Sequence, residues 1–427
     1  ISIQNVGVRR VYYGIFTRGT TVAPGSNLVI ENCEVGSTDT ANFVIFRGID
    51  VQNYRGAQIR DNQVYNLASS TATTQAAIEV GGTASNQVWV QRNRIWGVKN
   101  LNTGGWGAYG INVLSGDSVR IVNNVIYDLR TVNYSNTSNS FNALGIRLAG
   151  GTNHRVHYNS VYLYGAYTNT TTAGAAAAAF CITSTAVTAD VRNNVFAVND
   201  SSTTAASYFM AVWLPASYNF ANITLNNNAY QVPVHPQNYV GKVGITAATG
   251  NHVTVADWKA VSSVGNANND AFSVPPIGNS LPPFVSLTNL TVPAGTTTGI
   301  ESGGVVIAAL GTPNTDFNNT NRPAGTGFAP DMGAFEFNGV ALPDQFPPTI
   351  DSILLTPRAD QCVVTARAIT VFARDNLGGR GIDSVWLAYS IDSIAQPRIL
   401  FTRTSGTAAN GVWSGTMPAA PSAGRTL

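Results

Sequence analysis

The sequence predicts an all-β protein whose main body is a parallel β-helix. Three observations carry that prediction. The composition disfavours helices, a short asparagine-centred motif recurs at a nearly constant interval, and a second strand-like motif sits between its copies.

The chain of 427 residues holds 41 glycines, and only 11% of its residues are Asp, Glu, Lys or Arg. An ordinary globular chain carries about a quarter. Hydrophobic residues make up 44%, which argues against disorder. The balance of 24 Lys and Arg against 22 Asp and Glu leaves a net charge of +2, so the basic bias of a nucleic-acid binder is missing. No apolar run approaches the roughly 18 residues of a membrane span. Cys33, Cys181 and Cys362 are far apart and odd in number, which fits neither a disulfide framework nor a zinc site.

The repeat reads apolar-x-x-Asn-x-apolar. It occurs at Ile59, Asn62 and Val64, then at Val90, Asn93 and Ile95, and at Ile121, Asn124 and Ile126. It returns at Val156, Asn159 and Val161, at Val191, Asn194 and Phe196, and at Leu225, Asn228 and Tyr230. Looser copies start at Ile30, with Cys33 in the Asn slot, and at Ile1, with Gln4 there. Successive slots from Cys33 onward differ by 29 to 35 residues on subtracting their numbers. Between them lies a small residue followed by apolar-x-apolar, as in Gly48 to Val51, Ala77 to Val80, Gly110 to Val113 and Gly145 to Leu148.

Each unit thus holds at least two short alternating strands. A helical repeat would need runs of about ten residues at helical period, and a propeller blade would need four strands. Stacked single coils remain. Inward Val and Ile build a continuous core, and the Asn column forms a ladder at a turn where Asn tolerates the left-handed conformation. The count is about seven or eight coils over residues 1–245.

Residues 246–343 read as a capping and closing region. A short helix is expected around Thr254, Asp257 and Trp258, followed by Asn- and Pro-rich loops. Pro347 and Pro348 read as a linker. Residues 347–427 carry strand patterns at 353–355, 368–373, 384–390 and 398–401, which point to a β-sandwich cut off by the chain end. The chain starts without Met and is read as a segment of a longer or processed protein.

This layout resembles the secreted bacterial right-handed parallel β-helix proteins of the pectate-lyase-like superfamily over roughly residues 1–340. The carriers are the Asn-centred coils and a closing pattern: Asp257 and Trp258, then residues 316–323, then 331–336 from Asp331 to Glu336. Family members usually read Asp-x-Asp-Gly where this chain has Asp316, Phe317, Asn318 and Asn319. The tail, with Asp375 and the following Asn-Leu-Gly-Gly, is similar to Ig-like modules of type IX secretion cargo. The resemblance implies an extracellular protein at a bacterial cell surface. It implies no single activity, because the superfamily holds lyases, hydrolases, tailspikes and adhesins.

Stacking places one outward column through Asp50, Glu79, Asn112, Arg147, Cys181 and Trp213. Asp50, Glu79 and Arg147 are the catalytic candidates, since lyases of this fold pair stacked carboxylates with a basic residue. Trp106, Tyr109, Tyr134, Tyr164 and Tyr167 are candidates for stacking on a glycan. Asp316, Asn318 and Thr320 have the one-three-five spacing of a calcium loop but lack its later glycine and glutamate. No other cofactor is expected, and no zincin, Walker or nucleophile-elbow motif occurs. The expected function is a non-catalytic surface adhesin or scaffold with a glycan or cell-surface partner, or self-assembly into a homo-oligomer or fibre. The alternative is a polysaccharide lyase or glycoside hydrolase.

Overall fold

The computed structural model describes the chain apart from residues 135–138, 169–173, 246–248, 275–282, 308–313, 324–328, 343–347, 357–364, 376–381, 392, 408–409 and 420–427. Cys362, Pro347 and Asn376 to Gly379 therefore lie outside the described residues. The chain divides into two compact units, residues 1–322 with 330–341, and residues 323–329 with 342–427.

The first unit is a parallel β-helix. Among the described residues its three sheets hold eight, nine and nine strands. The Asn-centred motif proves to be two strands rather than one. In one coil Gln58–Arg60 belongs to the first sheet and Gln63–Tyr65 to the second, with a two-residue corner between them. The small-apolar-x-apolar motif supplies the third sheet, as in Gln75–Gly81 and Ala108–Val113.

Like sits on like. One inward column of the first sheet runs Ile30, Ile59, Val90, Ile121, Val156, Val191, Leu225. These side chains are fully buried, and a continuous apolar stack is what lets single coils cohere.

The corner is the most ordered polar feature. The Oδ1 of Asn93 accepts from both the backbone N–H of Asn62 (3.1 Å) and its Nδ2 (2.9 Å), and its own Nδ2 donates to the carbonyl of Ile59 (2.9 Å). Asn124, Asn159, Asn194 and Asn228 repeat these bonds. At one end Asn62 receives the N–H of Cys33 (2.9 Å), and at the other the hydroxyl of Ser273 receives the N–H of Asn228 (3.2 Å). The left-handed residue is not the ladder Asn but the one before it: Asn32, Asp61, Arg92, Asn123, Tyr158, Asn193 and Asn227 have φ between 50° and 61°.

The small residue of the second motif has a steric cause. Ala77 and Ile78 both pack into the inner core, while Ala76 and Glu79 face outward. A Cβ added at Gly110 would meet the carbonyl oxygen of Gly145 and the Ile126 side chain, so this coil requires Gly at the first inward position, while other coils carry Ala there and the last one Val240.

The C-terminal end of the solenoid is closed twice. Asn251–His252 pairs antiparallel with Asn238–Val243, which ends the parallel stacking. Then helix Val255–Ser262 follows, begun by a capping box between Thr254 and Asp257. Its Trp258 fills the space beside Gly241, where earlier coils carry Ile146, Phe180 and Val212. Parts of residues 300–307, 314–322 and 330–337 pack against the corner column. Arg322 donates to Asn123 Oδ1 (2.9 Å) and to the carbonyl of Gly333 (2.8 Å), pairs with Glu336, and lies 3.9 Å over the Tyr158 ring. Asn193 exchanges two hydrogen bonds with Val305.

The second unit contains a four-stranded antiparallel sheet in the order Thr349–Thr356, Arg367–Arg374, Asn410–Met417, Thr402–Gly406, with two short two-stranded sheets. Ile369, Val371, Phe401 and Trp413 form its core. This all-β arrangement is compatible with a β-sandwich.

Replacing Asn124 by Ala removes the oxygen that accepts both donors of Asn93 and the amide that donates to Asn159 and to the carbonyl of Val90, leaving only its backbone N–H on the next rung. With buried partners left unpaired at about 1–3 kcal/mol each, a chemical denaturation series is expected to show a loss of about 3 kcal/mol or more. Asn102→Ala, at a half-buried loop position outside the ladder, should cost less than about 1 kcal/mol.

Candidate functional site

The outward face of the third sheet places the sequence-derived column as expected in order. Phe16 pairs with Asp50, Asp50 with Glu79, Glu79 with Asn112, Asn112 with Arg147, Arg147 with Cys181, Cys181 with Trp213 and Trp213 with Lys242. Strand spacing sets neighbouring positions roughly 4.8 Å apart.

The members are bonded to one another. Glu79 pairs with Arg47 at 2.9 Å and accepts from Asn112 Nδ2 at 2.6 Å. Asn112 Oδ1 in turn accepts from Arg147 at 2.8 Å. Asp50 accepts two contacts from the Gln52 amide at 3.1 and 3.2 Å. Asp50 is 1% exposed and Glu79 4%. Burial, and after it the charge of Glu79, push the Asp50 carboxyl up to about 6. At the far end Lys242 donates to the carbonyl of Thr249 (2.9 Å) and to Asn251 (2.6 Å), and burial lowers it to about 8.

Loops from distant parts of the chain roof this face. The Tyr109 hydroxyl donates to the carbonyl of Ser140, Cys181 lies against the carbonyl of Asn139, and Trp213 Nε1 donates to Gly244 (2.7 Å). The Tyr134 and Tyr208 hydroxyls both donate to Ile245 (2.9 Å each). Among the aromatic candidates, Tyr109, Tyr134 and Tyr167 are therefore buried. Tyr109 and Tyr134 belong to a cluster with Leu144, Tyr208 and Trp213, and Tyr167 stacks on Phe209 at 5.2 Å. Trp106 and Tyr164 stay partly exposed, the first edge-on to Phe141 and the second tilted against Tyr162. The five do not share one surface patch.

Asp316 is fully buried. One of its oxygens accepts from the backbone N–H of Asn318 (2.8 Å) and Thr320 (2.7 Å), and the other from that of Glu336 (2.9 Å). The carboxylate is turned toward backbone donors and caps its own turn. Among the described residues no group of three or more His, Cys, Asp and Glu side chains is placed to hold a metal ion. No described helix is long and apolar enough to cross a membrane.

Two features escaped sequence reading. Arg47 is outward because two consecutive inward residues, Gly48 and Ile49, separate it from Asp50. Strict alternation would have turned it inside. Its neighbours Tyr12, Tyr13, Phe16 and Phe46 form an exposed aromatic group at the first coils, with ring centroids 4.9–5.4 Å apart. The other is Asp200, a buried carboxylate on strand Val195–Ser202 whose oxygens have no partner.

The fold and this face define a parallel β-helix protein with a sealed polar column. Comparison with family models, curated proteins and solved structures finds no match for the chain.

Arg47→Met should leave Glu79 as a buried unpaired charge and cost about 3–5 kcal/mol in denaturant unfolding. The double variant Arg47→Met, Glu79→Leu should recover most of that loss.

Proposed function

We propose that this chain is a non-catalytic extracellular scaffold or adhesin of a bacterial surface, with the second unit acting as an Ig-like module of the kind found in type IX secretion cargo. The observation that carries the reading is the state of the best catalytic column. Its carboxylates bond to Gln52, Arg47 and Asn112 and are 1% and 4% exposed, so a substrate does not reach them without displacing the side chains around them. A stack of near-identical coils resists local opening, which suits a rigid stalk exposed to proteases.

One observation favours a carbohydrate-active enzyme. Asp50 is held up to about 6 beside the Arg47-paired Glu79, and a carboxyl raised in this way serves as a general acid in other sites. Incubation with neutral and acidic polysaccharides, with and without calcium, separates the two. The scaffold reading expects no new reducing ends. Release that disappears in Asp50→Asn, in protein with an unchanged melting temperature, would make the chain an enzyme.

A further inference from the structure

Two arginines stand side by side on the outer face of the first sheet, away from the carboxylate column. Trp89 pairs with Arg120, Arg120 with Arg155 and Arg155 with Asp190. Ile121 and Val156, next to the arginines in the chain, are fully buried in the inner core, so both guanidinium groups lie on the outer face, at half-buried positions. Strand spacing sets the two residues roughly 4.8 Å apart.

The other arginines of this face and its asparagine corner are paired. Arg60 meets Glu31 at 3.1 Å, Arg92 meets Asp61 at 2.8 Å and Arg192 meets Asp190 at 2.5 Å. Asp190 is the strand partner of Arg155, but Arg192 donates to both of its oxygens and His157 lies 3.2 Å from one of them. Among the described residues neither Arg120 nor Arg155 has a hydrogen bond or an ion pair, and Nε of Arg120 is buried without a partner. Like charges directly opposite on neighbouring strands are destabilising. Burial, and after it the charge of Arg155, lowers Arg120. The indole of Trp89, 4.4 Å from the Arg120 guanidinium, holds that group in place. Stacking fixes the plane of a guanidinium and leaves its N–H edge free to donate.

A groove of about 340 Å³ runs over the same strands, lined in part by Gln58, Trp89, Gln91, Val122, Asn314 and Thr315. Gln58 and Gln91 sit half-buried at outward positions and bring amide donors and acceptors to it. We infer that the arginine pair binds the phosphate of a sugar phosphate, with the sugar in the adjacent groove. Charge selects the phosphate. At neutral pH a phosphate monoester carries about −1.5 to −2 charges and three acceptor oxygens, which answers two guanidinium forks. A carboxylate or a sulfate ester carries one charge and leaves an arginine unanswered. The groove selects the sugar: its volume is in the usual range for small-ligand sites, and its amides suit hydroxyls. An extended peptide adds to a free strand edge, whereas Trp89–Gln91 is already paired on both sides, with Gln58–Arg60 and Arg120–Val122. The inference goes beyond the scaffold reading and does not depend on it.

The test is isothermal titration of the full chain, in low-salt buffer free of phosphate, with glucose-6-phosphate, glucose-6-sulfate, glucuronate, inorganic phosphate and a phosphoserine peptide. Glucose-6-phosphate should bind about tenfold or more tighter than each of the others, and Arg120→Gln and Arg155→Gln should each weaken it about tenfold or more. Arg155→Gln relieves a like-charge pair, so its melting temperature should be equal or higher. It carries the test should Arg120→Gln, which loses the stack on Trp89, misfold. No binding of glucose-6-phosphate, or binding that neither variant weakens, overturns the site. Equal affinity for glucuronate or the sulfate ester overturns the choice of a dianion. Binding of inorganic phosphate or the peptide as tight as that of the sugar phosphate overturns the sugar.

Discussion

Each coil from Asn62 to Asn228 is held to the next at one corner by a side-chain amide that closes three hydrogen bonds at once. The rest of the body depends on this. A corner buried between stacked coils exposes backbone donors that neither sheet can satisfy. Asn is the residue whose single acceptor oxygen can take two donors from one neighbour while its amide reaches the other. With the corner saturated, strands on either side keep register, and the Ile and Val columns follow.

The ladder also explains the ends. At Cys33 it runs down to a thiol that reaches the carbonyl of Ile3 at 3.6 Å, the bond that an Asn makes with shorter distance elsewhere. At the other end a hydroxyl, Ser273, stands in for the next amide. The left-handed residues just before the ladder point the other way and become docking posts: Asn123, Tyr158 and Asn193 receive Arg322 and Val305 from the closing region. One corner therefore seals the inside through one residue and anchors the cover through its neighbour.

What could be read from the sequence follows from the same logic. The Asn period and the inward columns were legible because each repeats with one residue per coil, and the order Asp50, Glu79, Asn112, Arg147 came from counting along that period. The split of each Asn motif into two strands was not legible, because a two-residue corner leaves the alternation nearly unbroken. The roof over the column was hidden for another reason: Asn139, Gly244 and Ile245 arrive from loops with no repeat to count. Asp200 was hidden because its isolation depends on Gly165, one coil back, being filled by Arg130. The plug formed by Trp258 is half visible, in the helix that starts at Thr254, and half invisible, in the gap at Gly241.

The account turns on corners being as firmly bonded as strands. Native-state hydrogen exchange measures this directly. Corner amides ordinarily exchange quickly, since turns open locally at little cost. Here the backbone N–H groups of Asn62, Asn93, Asn124, Asn159 and Asn194 should exchange as slowly as those of Ile59 and Ile121 in the strands. Exchange of these five on the timescale of exposed turn amides, with the strands still protected, would contradict the ladder as the bond that orders the coils.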